Sequence, residues 1–289
     1  MSSRNKGILC ILGSSLSFAL MNTFVHMAGD VPSMQKAFFR NAVAVVFSFL
    51  ILLRGREPFR PPERKHWLLL LARASFGTLG LLCNFYAVDH LNISDASMLN
   101  KMSPFFAILV CYFLLSERLT LFQGLSVAAA FGGALLIIKP DPANMALFPS
   151  LIGLLGGFGA GVAYSFVRLM SKKNIHSSLI VFTFSAFSCL VCLPYFLAVR
   201  APMTPSQLGC LLLAGLFGCT GQFSITAAYR FAPARDISVY DYTQVIFAAL
   251  LGWAFFGQLP DLWSVVGYVL ICGMGIAMFL YQHRRAPAP

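Results

Sequence analysis

Ten apolar stretches, each close to twenty residues long, occupy nearly all of the 289 residues of this chain. A helix of about eighteen or more apolar residues is long enough to cross the hydrocarbon core of a bilayer. The joints between the stretches are short, so no room remains for a separate soluble domain. The stretches are residues 7–27, 33–53, 67–88, 95–115, 121–138, 150–170, 179–199, 206–229, 237–257 and 262–281. The pattern predicts an all-α integral membrane protein with ten transmembrane helices.

The composition points the same way. Hydrophobic residues make up 58% of the chain, charged residues only 11%, and the mean hydropathy is +0.76. Soluble domains carry about a quarter charged residues. A soluble all-helical protein is the alternative that this composition disfavours.

The net charge of +11 would suggest a nucleic-acid partner for a soluble protein, but the basic residues follow a different pattern. If the N-terminus is cytoplasmic, fifteen of the twenty-one Lys and Arg residues lie on the cytoplasmic side, and only Lys139 and Arg200 lie outside. Five of the fifteen fall between Arg54 and Lys65. Basic residues mark cytoplasmic joints. We expect a multi-pass protein of the bacterial cytoplasmic (inner) membrane, with both termini in the cytoplasm and no nucleic-acid partner.

The reactive side chains have no spacing that indicates an enzyme, a metal site or a cofactor. The eight cysteines all lie inside apolar stretches, where small buried hydrophobic side chains are the simplest interpretation. Cys189 and Cys192 form a C-x-x-C without a second pair of ligands. The five histidines are scattered over different segments, so no cluster has catalytic spacing. We expect no catalytic residue, no metal and no cofactor.

The chain carries a weak internal repeat. A shift of 141 residues aligns the fourth apolar stretch and its exit with the ninth. The aligned pairs are Asp95 and Asp236, Ser97 and Ser238, Phe106 and Phe247, Ala107 and Ala248, Leu109 and Leu250, and Leu121 and Leu262. Each repeat, residues 7–138 and 150–281, holds five predicted spans, and because five is odd the second copy enters the membrane upside down. Such inverted repeats occur in many secondary transporters, which bind substrate near the midplane between the halves.

Motifs in both halves are similar to those of a known family. They are Tyr86-Ala87, Ser94-Asp95-Ala96, Pro104 and the exit Phe113-Leu114-Leu115-Ser116-Glu117-Arg118-Leu119, then Ala228-Tyr229, Asp241-Tyr242-Thr243-Gln244 and Leu250-Leu251-Gly252-Trp253. On these residues the whole chain resembles the EamA-domain transporters of the drug/metabolite transporter superfamily. The resemblance implies ten helices, two EamA repeats and a solute carrier, but no particular substrate. Two positions depart from the family pattern: Gln258, where the second copy often has Glu, and Phe18, where the first helix often has Trp.

Four basic residues lie inside the predicted spans: Lys36, Arg40, Arg73 and Lys101. A charge at the centre of a membrane helix costs at least about 2.5 kcal/mol, so such residues usually face a cavity or a partner. Arg40 is a candidate substrate contact, whereas Lys36 lies one turn from the helix end, where snorkelling to the surface is the alternative. For Arg73, pairing with backbone or with Asp241 competes with substrate contact.

The fourth and ninth stretches hold the densest group of candidates. Pro104 removes the amide that would have bonded the carbonyl of Asn100, which leaves an acceptor beside the Lys101 ammonium. A proline kink with Lys101 tied to an acid is the structural alternative. In the repeat, Asn100 aligns with Asp241, whose carboxylate is suited to bind an amine or a proton, or to pair with Arg73 or Lys101. The predicted substrate-binding residues are Arg40, Arg73, Asn100, Lys101, Tyr164, Tyr240, Asp241 and Tyr242.

Small residues recur every fourth position on two stretches, a spacing that favours close helix packing. One set is Gly153, Gly157 and Gly161, and the other is Gly124, Ala128 and Gly132. We assign neither set a ligand and expect both to lie against neighbouring helices.

Two classes of function remain after these exclusions. The favoured one is a secondary transporter that moves a small polar metabolite by alternating access. Because four basic residues in the spans face only two acids, Asp95 and Asp241, an anionic or zwitterionic solute such as an organic acid or amino acid is favoured. The alternative is a non-transporting membrane protein of the same fold, a lipid scramblase or a sensor. The expected partners are a small solute and membrane lipid, while the sequence leaves open the solute, the direction, the coupling ion and the oligomeric state, a homodimer included.

Overall fold

The computed structural model describes residues 3–54, 64–115, 120–140, 144–171, 175, 177–231 and 238–285, and within these ranges the chain is helical with no strand. Eleven α-helices are described: α1 Ser3–Met27, α2 Ser33–Arg54, α3 Arg64–His90, α4 Ile93–Asn100, α5 Ser103–Leu115, α6 Leu121–Ile138, α7 Leu147–Ser171, α8 Ser177–Val199, α9 Pro205–Phe231, α10 Thr243–Phe256 and α11 Leu262–Arg285. A short 3-10 helix, Ser238–Tyr242, precedes α10.

Nine helices in the described part of the chain are long and apolar enough to cross a membrane. The protein is therefore a multi-pass membrane protein, as predicted. The interior of the basic loop, residues 55–63, and the exit motif at 116–119 lie outside the described residues.

The predicted fourth span is not one continuous helix. It divides into α4, of 8 residues, and α5, of 13 residues, with a turn at Lys101 and Met102 between them. Pro104 has no amide hydrogen to donate to the carbonyl oxygen of Asn100, which explains the break at this place. The predicted ninth span is also irregular, since the 3-10 helix ends at Tyr242 where α10 begins.

Helices of the two sequence halves pack against each other. The most extensive contacts join α1 with α9, α3 with α7, α2 with α8, and α6 with α11. One buried cluster gathers side chains of α1, α2, α3, α4, α8 and α9, and another gathers those of α4, α5, α6, α10 and α11. The two halves therefore share one interior.

Glycines bring α3 and α7 into backbone contact. A Cβ atom added at Gly80 would lie 2.9 Å from the backbone nitrogen of Ala160, and one added at Gly159 would lie 2.9 Å from that of Gly80. We name these contacts the α3–α7 glycine seam.

The predicted close packing through glycines is confirmed for one set and wrong for the other. On α7, a Cβ at Gly157 would lie 2.5 Å from the carbonyl oxygen of Leu99. On α6, nothing lies within 4 Å of such an atom at Gly124 or Gly132, whereas one at Gly133 would lie 3.0 Å from the carbonyl oxygen of Gly267. Because successive helical residues point about 100° apart, Gly133 faces α11 and Gly132 does not.

Candidate functional site

A cavity of about 100 Å³ lies among helices of both halves. We name it the central cavity. Its apolar lining includes Phe18 and Phe184, and Phe18 is one of the two departures from the family pattern. The polar lining consists of Asn22, Arg40, Arg73, Asn84, Asn100, Lys101, Tyr164, Gln222 and Gln244. A concave site between helices with convergent polar groups is typical of a small-molecule site.

The structure brings five of the eight predicted site residues to this cavity: Arg40, Arg73, Asn100, Lys101 and Tyr164. Tyr164 is 42% exposed although it lies well inside α7, which is consistent with a side chain that faces the cavity.

The other three predicted residues lie beside the cavity lining or away from it. The Asp241 carboxylate accepts a hydrogen bond from Lys101 at 2.6 Å and is thereby joined to the lining. Tyr240 packs on a small cluster with Ile11 and Ala228. The Tyr242 ring lies against α11, where a Cβ at Gly275 would be 2.6 Å from it.

Both buried lysines have a carboxylate partner. Lys36 is fully buried and its ammonium lies 2.5 Å from the Asp89 carboxylate, so it does not snorkel. Ser33 donates to the second oxygen of that carboxylate at 3.1 Å. Asp89 lies one residue beyond the predicted third stretch, and for that reason the count of two acids in the spans was wrong. Lys101 pairs with Asp241 at 2.6 Å, across the two halves.

The two buried arginines are different. Arg40 is 3% and Arg73 4% exposed, and within the described ranges no carboxylate forms an ion pair with either. Because Asp241 pairs with Lys101, the alternative pairing of Arg73 with Asp241 is wrong. The Nε atom of each arginine has no hydrogen-bond partner among the described residues, and Arg40 donates from Nη1 to the side chain of Asn41 at 2.7 Å.

Phe184 lies close to both guanidinium groups. The central carbon of the Arg73 guanidinium is 4.2 Å from the ring centroid, and that of Arg40 is 5.8 Å away. Cation–π contacts stabilise a guanidinium without neutralising it. The two charges are thus held at the cavity by an aromatic ring and remain uncompensated by the described part of the protein.

Two glycines make room for these arginines. A Cβ atom at Gly77 would overlap Nη1 of Arg73, and one at Gly218 would lie 2.7 Å from Nε of Arg40. The glycines therefore fix where the guanidinium groups can lie. Neither was singled out in the sequence, because a glycine in an apolar span more often serves helix packing.

Sequence reasoning also missed the amide side chains of the cavity. Asn84 donates to the Asn22 side chain at 3.2 Å, and Asn22 donates to Ser97 at 3.3 Å. This chain of hydrogen bonds links α3, α1 and α4 across the lining. The signal was present in the sequence, since amides within apolar stretches mark interhelical hydrogen bonds or cavities.

A second cavity, of about 470 Å³, lies toward the ends of the helices near Asn92, Lys139 and Asp261. We name it the outer cavity. Asp95 lines it and accepts a hydrogen bond from Tyr268 at 2.7 Å. The four residues of α4 that lie between the two cavities, 96–99, are completely buried. Along α4 they lie between Asp95, which lines the outer cavity, and Asn100, which lines the central one.

A group of hydrogen bonds joins the two halves near the same end. One ring nitrogen of His26 lies 2.7 Å from the carbonyl oxygen of Val88, and the other lies 3.2 Å from the Gln258 side-chain nitrogen. The side-chain oxygen of Gln258 accepts a hydrogen bond from the backbone amide of Ile93 at 3.1 Å. Gln258, the second departure from the family pattern, thus connects α1 and α4 of the first half to the second half.

The central cavity lies between helices of the two sequence halves, which is where many solute carriers bind their substrate. The model of the EamA-like transporter family matches residues 5–139 and 150–281. The chain belongs to that family, and the predicted resemblance is confirmed.

Two bacterial transporters match nearly the whole chain. It is 32% identical over 274 residues to a protein named pseudopaline exporter CntI of Pseudomonas aeruginosa, covering 94% of this chain and 95% of that one. It is 28% identical over 290 residues to a riboflavin transporter of Rhizobium johnstonii, with coverage of 98% and 94%. A protein solved by crystallography has a TM-score of 0.63 at 15% identity, with coverage of 98% and 99%, and so shares the fold. The protein is a membrane transporter of the EamA family.

Proposed function

We propose that the protein is a secondary transporter that carries a small polar organic metabolite by alternating access. The observation that supports this most directly is the central cavity, which has helices of both halves around it, with the buried residues 96–99 between it and the outer cavity along α4. A carrier of this kind opens one compartment at a time, and buried residues between two cavities are consistent with one closed state. A transporter with no enzymatic activity fits the family.

The arrangement of the spans belongs to the same proposal. Ten spans form two inverted repeats, residues 7–138 and 150–281. The support is that the breaks in the fourth and ninth spans fall 141 residues apart, at Lys101 and Tyr242, the same offset as the internal repeat. Matching breaks are expected if the two halves have related structures.

The solute is proposed to be anionic or zwitterionic, such as an organic acid or amino acid. The described cavity lining holds three basic side chains and no acidic one. The relatives are named for two different compounds, pseudopaline and riboflavin, so the solute of this chain is argued from its own cavity.

Exchange in proteoliposomes tests the transport function. The purified chain is first screened against a metabolite library for compounds that raise its melting temperature, since a ligand that binds only the native state stabilises it. Compounds that stabilise the protein are then loaded into proteoliposomes, and we expect at least one to exchange against the same labelled compound outside. If no compound exchanges while fluorescent lipids flip between leaflets, the protein is a scramblase and the proposal fails.

The orientation is proposed from the distribution of basic residues: both termini and the loop from Arg54 to Lys65 lie in the cytoplasm of a bacterial cell, and the membrane is the inner one. Cysteine labelling in intact cells tests this, on a variant that lacks the native cysteines and carries Gly55→Cys. We expect labelling by a permeant reagent and protection from an impermeant one. Labelling from outside by the impermeant reagent would invert the topology.

A further inference from the structure

We propose that the central cavity binds a solute with two negatively charged groups, in the simplest case a dicarboxylate, and that Arg40 and Arg73 each bind one of them. This inference rests on the proposed transport function and specifies its substrate class. It concerns the number and placement of charges on the solute, which the excess of basic residues alone does not determine.

The charges of the central cavity are not balanced by the protein. Three described residues of the cavity lining are basic, and Asp241 neutralises one of them, Lys101. Two positive charges, on Arg40 and Arg73, remain. Because an unpaired charge is unfavourable in a buried site, a solute with two negative charges balances this cavity, whereas a solute with one leaves a guanidinium uncompensated.

The two guanidinium groups have the geometry of carboxylate sites. Each is at least 96% buried and has an Nε–H without a partner among the described residues. A guanidinium binds a carboxylate through two parallel hydrogen bonds, one of which is often donated by Nε. Phe184 lies near both groups, so the two sites are close to one ring and suit the two ends of a short solute.

A glycine lies against each of the two arginine side chains. Gly77 and Gly218 leave space that a single methyl group would fill, and the guanidinium groups occupy that space. We infer that these glycines are positioning residues that set the distance between the two anion sites. The distance between the two sites makes the cavity selective for the length of the solute as well as for its charge.

Matched ligands test the inference on the full-length purified protein. The probes are linear dicarboxylates of increasing length, from succinate upward, and each is compared with its own monoamide, which has nearly the same shape and one charge fewer. We expect at least one dicarboxylate to raise the melting temperature and to bind about tenfold or more tightly than its monoamide, the effect of one hydrogen-bonded charge pair. If no member of the series binds better than its monoamide, the inference is overturned.

The arginine variants connect this preference to the proposed residues. In Arg40→Gln and in Arg73→Gln the dicarboxylate should lose most of its advantage over the monoamide, while the monoamide binds about as well as before. A preference that persists in both variants would place the anion sites elsewhere and overturn the assignment. Melting temperatures without ligand show whether each variant is folded, and Arg40→Lys and Arg73→Lys, which keep the charge, provide a second pair of variants should a glutamine variant fail to fold.

Failure of this inference can be distinguished from failure of the proposed transport function. If a neutral or cationic solute exchanges in proteoliposomes and no dicarboxylate is preferred, the transport function stands and this inference fails. If no solute of any charge exchanges, the transport function itself fails.

Discussion

The buried lysines and the buried arginines of this protein lie in similar environments but differ in their partners. Lys36 and Lys101 each lie within 2.6 Å of a carboxylate. Arg40 and Arg73 are as deeply buried, yet they have no acidic partner among the described residues. The lysines are thus balanced within the protein, and the arginines leave a charge to be balanced by something that enters the cavity. The difference separates charges that stabilise the fold from charges available to a solute.

The largest effect on stability is expected when a paired charge loses its partner. Lys36→Met leaves the Asp89 carboxylate unpaired in a site where its side chain is only 14% exposed. We expect a loss of about 3 kcal/mol in the free energy of unfolding, measured by thermal or denaturant unfolding in detergent. The control is the double variant Lys36→Met with Asp89→Asn, which removes both charges and should recover most of the loss. If the single variant is as stable as the parent, the ion pair does not stabilise the fold.

The arginines should give the opposite result. Arg73→Met removes a buried charge that has no acidic partner in the described protein, so we expect an unchanged or slightly higher melting temperature. Solute binding should weaken by about ten- to a hundredfold, because a charged hydrogen bond contributes about 1.5–3 kcal/mol. Both are measured on one preparation, by melting temperature and by ligand titration. A variant that binds normally but unfolds more easily would show that Arg73 stabilises the fold, as the lysines do, and does not bind the solute.

Lys101 shares a property with each group: like Lys36 it is paired with a carboxylate, and like the two arginines it lines the central cavity. Lys101→Met should fold and insert with a loss of about 1–2 kcal/mol in unfolding free energy, since the Asp241 side chain is 21% exposed and partly solvated. Transport should be lost if Lys101 contacts the solute or takes part in coupling. The companion variant Asp241→Asn separates these roles: added to Lys101→Met it should restore stability and leave transport low. Transport at the parental rate in Lys101→Met would show that the pair is only structural.

The smallest effect is expected from the glycines that position the arginines. Gly77→Ala would displace only the flexible end of Arg73 and one edge of Phe184, so stability should change little. The preference for a dicarboxylate over its monoamide should fall by a few-fold, as expected for a strained charged hydrogen bond. Gly13→Ala, where nothing lies within 4 Å of the added atom, is the matched control.

In the background of Arg73→Gln, the Gly77→Ala substitution should no longer affect binding. If it weakens binding equally with and without the arginine, Gly77 does not act through Arg73.

The spans were predictable because hydropathy is a local property of the chain. The turn at Lys101 also had a local signal in Pro104, whereas the 3-10 helix Ser238–Tyr242 had none, since no proline lies within it. Only the repeat, which aligns Tyr242 with Lys101, indicated a related feature there.

The partners of the charges were harder to predict than the charges themselves. Arg40, Arg73 and Lys101 stood out because a charge in an apolar stretch is costly. Which acid each one contacts depends on packing between residues as far apart in sequence as Lys101 and Asp241. Asp89 was overlooked because it lies at the edge of a stretch. A carboxylate there costs little free energy, so its position in the sequence does not indicate a buried partner.

The glycine seam between α3 and α7 limits how this molecule can move. Helices whose backbones touch have no side-chain layer between them that can slide, so we expect α3 and α7 to move as one rigid body. Arg73 lies on α3 and Tyr164 on α7, and their separation should stay constant while the cavity opens and closes. Arg40 lies on α2, which packs mainly on α8 and α9 and less extensively on α3. A solute held by both arginines would therefore join a fixed edge of the cavity to a moving one.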